Sequence, residues 1–94
     1  MEERVIGDMY LAAAFLSYDI PLVRIERIQP RRQKFIFAGC PSRIFVVDEG
    51  VVIAIEHPTL EEIETRFVAQ TLMFPPLYPD AIRRIKSSIH SGDI

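Results

Sequence analysis

The sequence predicts an α+β domain, an antiparallel sheet of about four short strands with three helices in the order αββββαα. Three observations carry that prediction. Residues 43–56, R-I-F-V-V-D-E-G-V-V-I-A-I-E, are two runs of β-formers on either side of a turn. The stretch before them has strand-like alternation, and the stretches at both ends have helical spacing.

Gly7-Asp8 opens the first helix, with Asp8 placed to cap it, and M-Y-L-A-A-A-F-L continues without a charge as far as Asp19. Leu11, Phe15 and Tyr18 recur at helical spacing. A helix apolar nearly all round packs centrally. Asp19-Ile20-Pro21 ends it. L-V-R-I-E-R-I then alternates Val23 and Ile25 with Arg24 and Glu26, as a half-exposed strand does. Gln29-Pro30-Arg31-Arg32 turns the chain, and Q-K-F-I-F-A returns with Phe35 and Phe37 on one face. Gly39-Cys40-Pro41-Ser42 leads into the central hairpin, so the four strands read as a meander.

Asp48-Glu49-Gly50 is expected to be a three-residue reversal, with Gly50 in the left-handed position that lacks a Cβ clash. A two-residue turn at Glu49-Gly50 would slip the pairing by one residue and re-sort the faces. Either register leaves large aliphatic residues on both sides. An antiparallel hairpin with one wet face alternates apolar and polar residues, so this unbroken run calls for cover on both faces. Two arrangements supply it: helices of this chain on both sides, or helices on one side and a second subunit or protein partner on the other. With the three-residue turn, the contact residues are Ile44, Val46, Val52 and Ala54.

His57-Pro58 closes the sheet. Thr59-Leu60-Glu61-Glu62 matches the capping box, in which the Thr hydroxyl meets the third backbone amide. Leu60, Ile63, Phe67 and Thr71 form the inward stripe of this second helix, with Glu61, Glu64 and Arg66 outside. Phe74-Pro75-Pro76-Leu77-Tyr78-Pro79 is extended, because successive prolines lack donors. Its Phe74, Leu77 and Tyr78 are a second contact patch unless they tuck into the core. Pro79 suits the first turn of the last helix, which places Ile82, Ile85 and Ile89 inward and ends at Gly92.

Asp8-Met9-Tyr10-Leu11-Ala12-Ala13 with Phe15-Leu16, a short hairpin returning through Phe35 and Phe37, and a closing Ala81-Ile82 with Ile85-Lys86 and Ile89 resemble a family of short prokaryotic and phage domains of unknown function. The resemblance covers both ends of the chain and leaves out residues 39–58, so the central hairpin looks like an addition to the pattern. It implies bacterial, archaeal or phage origin, often on mobile elements, and it transfers no catalytic residue.

The chain has 94 residues, 49% hydrophobic and 26% charged, which describes one ordinary globular domain. No apolar run reaches the roughly 20 residues of a membrane-spanning helix. The start M-E-E-R lacks the layout of a signal peptide, and the lone Cys40 cannot form an internal disulfide, so a cytoplasmic location is expected. A net charge of −2 gives no overall pull toward nucleic acid.

Chemistry finds little purchase. Cys40 and His57 flank the central hairpin and would meet at its open end, but no third group orients them. Two histidines and one cysteine at wide spacing match no zinc pattern, and Glu61, Glu62 and Glu64 fit the dipole of a helix start. Glycines scattered singly do not cradle phosphate. The expectation is a non-enzymatic interaction module with no cofactor, metal or small-molecule substrate, one that self-associates or docks a protein. The alternative is a nucleic-acid accessory protein that uses Arg24, Arg27, Arg31, Arg32 and Lys34 on the first hairpin with Arg83, Arg84 and Lys86 on the last helix.

Overall fold

A computed structural model describes residues 3–29 and 32–91 of the chain. The α+β class holds, with one more strand than expected and two sheets in place of one. The order is β1 (Glu3–Ile6), α1 (Met9–Ser17), β2 (Leu22–Gln29), β3 (Arg32–Ala38), β4 (Arg43–Asp48), β5 (Val51–Glu56), α2 (Leu60–Val68) and α3 (Tyr78–Ser91).

The expected meander breaks between β3 and β4. Strands β1, β3 and β2 form one antiparallel sheet in that order, and β4 pairs with β5 in a second. The cause is competition for an edge. β3 has β2 on one side and β1 on the other, so no edge of β3 remains for β4. Gly39, at φ +96°, turns the chain out of the first sheet. β1 escaped the sequence reading because four residues, two of them charged, are too short to show alternation.

Helix α1 lies at the centre, as its uncharged surface requires. Asp8 Oδ1 accepts from the amides of Tyr10 at 2.7 Å and Leu11 at 3.2 Å, and residues 11–15 are all buried. Its end is a Schellman turn. The Asp19 amide donates to the Leu16 carbonyl, the Ile20 amide to that of Phe15, and Asp19 takes φ +63°. Phe15 meets Phe37 edge to face at 5.1 Å between ring centroids, which sets the helix on the β1-β3-β2 sheet.

Both remaining helices close over the same core. In α2, Thr59 Oγ1 accepts from the Glu62 amide at 3.0 Å, and Leu60 and Ile63 are buried. α2 ends in a second Schellman turn through Gln70 at φ +62°. α3 starts at Tyr78, so the last two residues of the segment expected to be extended are helical instead, with Pro79 in a first turn that needs no donor from it, and the helix buries Ala81 and Ile85. Gly92 lies outside the described residues, and so does the side chain of Ile89. One apolar cluster joins Ile6, Phe15, Phe35, Ile44, Ile63 and Ile85 from the two sheets and three helices.

Candidate functional site

The turn of the β4-β5 hairpin decides what the hairpin presents. Asp48 pairs with Val51, so the loop is the two residues Glu49 and Gly50, at φ +51° and +78°. Two positive φ values in succession make a type I′ turn, whose twist matches that of the flanking strands. The expected three-residue turn is therefore corrected, and the pairing slips by one residue. Phe45 lies across from Ala54 and Val47 from Val52, while Ile44 faces Ile55 and Val46 faces Ile53.

Cross-strand partners share a face, so the four contact residues expected from the sequence do not. Ile44 and Val46 point into the core and are buried. Val52 and Ala54 belong to the opposite face, with Phe45 and Val47. The helices of this chain cover the first face and leave the second open: Phe45 is 41%, Val47 37% and Val52 56% exposed. On the inner face β5 overhangs the core, and Val51 (60%) and Ile53 (41%) are exposed there too.

A third segment extends the outer face. Val46 bridges Leu72 antiparallel, the Val47 amide donates to the Thr71 carbonyl at 2.7 Å, and the Met73 amide donates to that of Phe45 at 2.9 Å. This register puts Thr71 beside Val47 and the exposed Met73 beside Phe45, on the outer side. Where the next ladder bond would fall, the Tyr18 hydroxyl stands in. It accepts from the Phe45 amide at 3.3 Å and donates to the Met73 carbonyl. Burial pushes the Tyr18 phenol above its usual pKa, with the Phe45 amide pulling the other way.

The same bonds fix the direction of every backbone group in β5. Val47 and Phe45 turn their polar groups to residues 71–73, so Ile44, Val46 and Asp48 turn theirs to β5; at the open end, the His57 amide donates to Ser42 at 2.8 Å. Alternation then directs Val51, Ile53 and Ile55 at β4 and leaves Val52, Ala54 and Glu56 aimed away from it. Arg43 grips Glu56 with bonds of 2.6 to 3.0 Å at the open end of the outer face, and this guanidinium holds the Glu56 carboxyl below the usual range. The apolar face is thus bounded at that end by a closed ion pair.

The other candidates are dispersed or neutralised. Arg24 sits between Glu26 at 2.9 Å and Glu3 at 3.8 Å, and Arg83 pairs with Asp80. Arg27, Arg32 and Lys34 are exposed on β2 and β3, while Arg84 and Lys86 are exposed on α3; Arg31 lies outside the described residues. Cys40 and His57 are both exposed. Among the described residues, no three of His, Cys, Asp and Glu gather where they could hold a metal ion. Phe74 stacks on Tyr78 at 4.3 Å and meets Phe67 edge to face at 6.0 Å, so those two aromatics brace the proline-rich segment, and Leu77 stays exposed.

No family model, curated protein or solved structure matches this chain. The fold defines it as a small α+β domain with two antiparallel sheets on one core. Among the described residues no helix is long and apolar enough to cross a membrane.

Proposed function

We propose that this protein is a non-enzymatic interaction module that self-associates through its β4-β5 hairpin. The observation that carries the reading is the open outer face, on which Phe45, Val47, Val52 and Met73 stand exposed on one side of the hairpin, with none of the described helices over them. Fully burying one such side chain contributes roughly 1.5 to 3 kcal/mol. These four are about half exposed, so covering them supplies on the order of 3 to 5 kcal/mol before the cost of association.

Nucleic-acid binding has weaker support. Arg24 and Arg83 are engaged by carboxylates of the same chain, and phosphate contact would have to displace them.

Light scattering on the whole chain tests the proposal. The parent is expected to be larger than a monomer, and Val52→Lys, which places a charge on the outer face, to be a folded monomer. Val46 is unsuitable for this purpose, because a lysine there would enter the core and unfold the protein. A parent that remains monomeric up to about 1 mM overturns the proposal, since self-association weaker than that is negligible.

A further inference from the structure

An exposed strand edge offers unpaired amides and carbonyls to any passing strand, and folded proteins guard such edges with charges, proline, bulges or short length. Two edges of this molecule are guarded in that way. β1 has four residues and carries Glu3 and Arg4, while β2 carries Arg24, Glu26 and Arg27 and is interrupted by two register shifts. The far side of β4 is covered by residues 71–73. β5 is different. Its ladder with β4 runs six pairs without a bulge, and residues 51–55 are Val, Val, Ile, Ala and Ile, with no charge and no proline.

We propose that β5 pairs with β5 of a second copy, antiparallel, about a two-fold axis through Ile53, joining the two hairpins into one four-stranded sheet. The proposal rests on the reading of the hairpin as a self-association surface and adds to the outer face a second contact, through the edge of the sheet. Val52 and Ala54 aim their backbone groups outward, so Val52 of one copy meets Ala54 of the partner subunit in a hydrogen-bonded pair. Ile53 then lies across from Ile53 of the partner subunit, and Val51 across from the partner's Ile55. Every position of the apolar run meets an apolar position.

Charge selects this register over its neighbour. Centred on Ile53, the pairing brings Glu56 opposite Gly50 of the partner subunit, which has no side chain to strip water from the carboxylate. Centred on Ala54, the pairing would set Glu56 against Val52 of the partner subunit, placing a charge beside an apolar side chain with no new cation to receive it. The area is small. The half-exposed side chains of five positions offer at most about 300 to 400 Å² per copy, against about 800 Å² for a standard interface. The dimer is therefore weak and exchanges with monomer, and it lays the two outer faces side by side as one apolar platform.

Cysteine cross-linking tests the register, in the whole chain with Cys40→Ser. A non-hydrogen-bonded antiparallel pair holds its Cα atoms about 4.5 Å apart, within the range a disulfide spans. Ile53→Cys, Ala54→Cys and, as an exposed control, Glu61→Cys are oxidised with glutathione disulfide at high protein concentration, after circular dichroism has confirmed that each is folded. Ile53→Cys is expected to give a covalent dimer at least about fivefold faster than either of the others. Equal rates, or a faster Ala54→Cys, overturn the proposal. Sedimentation of the Cys40→Ser parent separates the two levels: an oligomer without Ile53 preference overturns the edge pairing and leaves self-association standing, whereas a monomer overturns both.

Discussion

The Tyr18 hydroxyl continues the β4 ladder where backbone pairing stops, so removing that one atom measures how the hairpin is fastened to the core. In Tyr18→Phe the ring stays, and two bonds are lost: the Phe45 amide at 3.3 Å and the Met73 carbonyl. A typical internal hydrogen bond contributes about 0.5 to 1.5 kcal/mol net. The bond from Phe45 is long, and Phe45 and Met73 are partly open to water, which resolvates them. The loss is therefore roughly 1 to 2 kcal/mol, not the larger cost of orphaning buried groups. For a domain of this size that lowers the melting temperature by about 5 to 10 °C.

The pH dependence gives a second readout. Burial raises the Tyr18 phenol above its ordinary value, so the folded state favours the neutral form. Stability from this group is fully present below the unfolded pKa of about 10 and is lost as pH rises toward the higher folded value. The parent should lose stability more steeply at alkaline pH than Tyr18→Phe does, and the gap between the two should narrow above pH ~10. The Tyr78 phenol is also raised, mainly by burial, but it is present in both proteins and cancels. Thermal melts by circular dichroism from neutral pH to the alkaline limit check both parts. An unchanged melting temperature with parallel alkaline limbs would refute the hydroxyl's role as a stitch between α1, β4 and residues 71–73.

Two further substitutions probe the local rules. Glu49 holds φ +51° in a turn that favours Asn-Gly, so Glu49→Asn should stabilise the protein by roughly 0.5 to 1 kcal/mol, seen as a higher melting temperature; a lower one would contradict the type I′ assignment. Thr59→Ala removes the acceptor for the Glu62 amide and should cost about 1 kcal/mol in urea denaturation, with an unshifted midpoint counting against the cap.

Elements whose signals are short in range were legible from the residues. The Asp8 and Thr59 side chains cap the helices they precede in the chain, because a cap needs only a backbone amide two or three residues on. The buried circumference of α1 follows from a run with no charge to expose. The hairpin between β4 and β5 follows from β-formers on both sides of a glycine turn.

The open apolar face was legible in kind and not in membership. Large apolar residues on both sides of the hairpin were evident, yet the choice between Val46 and Val47 depended on a single residue in the turn. A consecutive pair with positive φ at Glu49 and Gly50 carries that decision, and Glu-Gly is a weaker signal for it than Asn-Gly. Nothing local ties Met73 or Tyr18 to Phe45, from which they stand 28 and 27 positions away.

By itself, then, the amino-acid order determined the α+β class, the starts of α1 and α2, the central place of α1 and an apolar ribbon with large side chains on both faces. Tertiary structure alone decided that β1 would take the edge of β3 that β4 might have used, and that Val52 and Ala54 would face out while Ile44 and Val46 face in. The physical reason is one of range. Capping and turn chemistry act over a few residues, whereas a strand's partner depends on which other segment reaches its edge, and a slip of one residue there reverses every side chain.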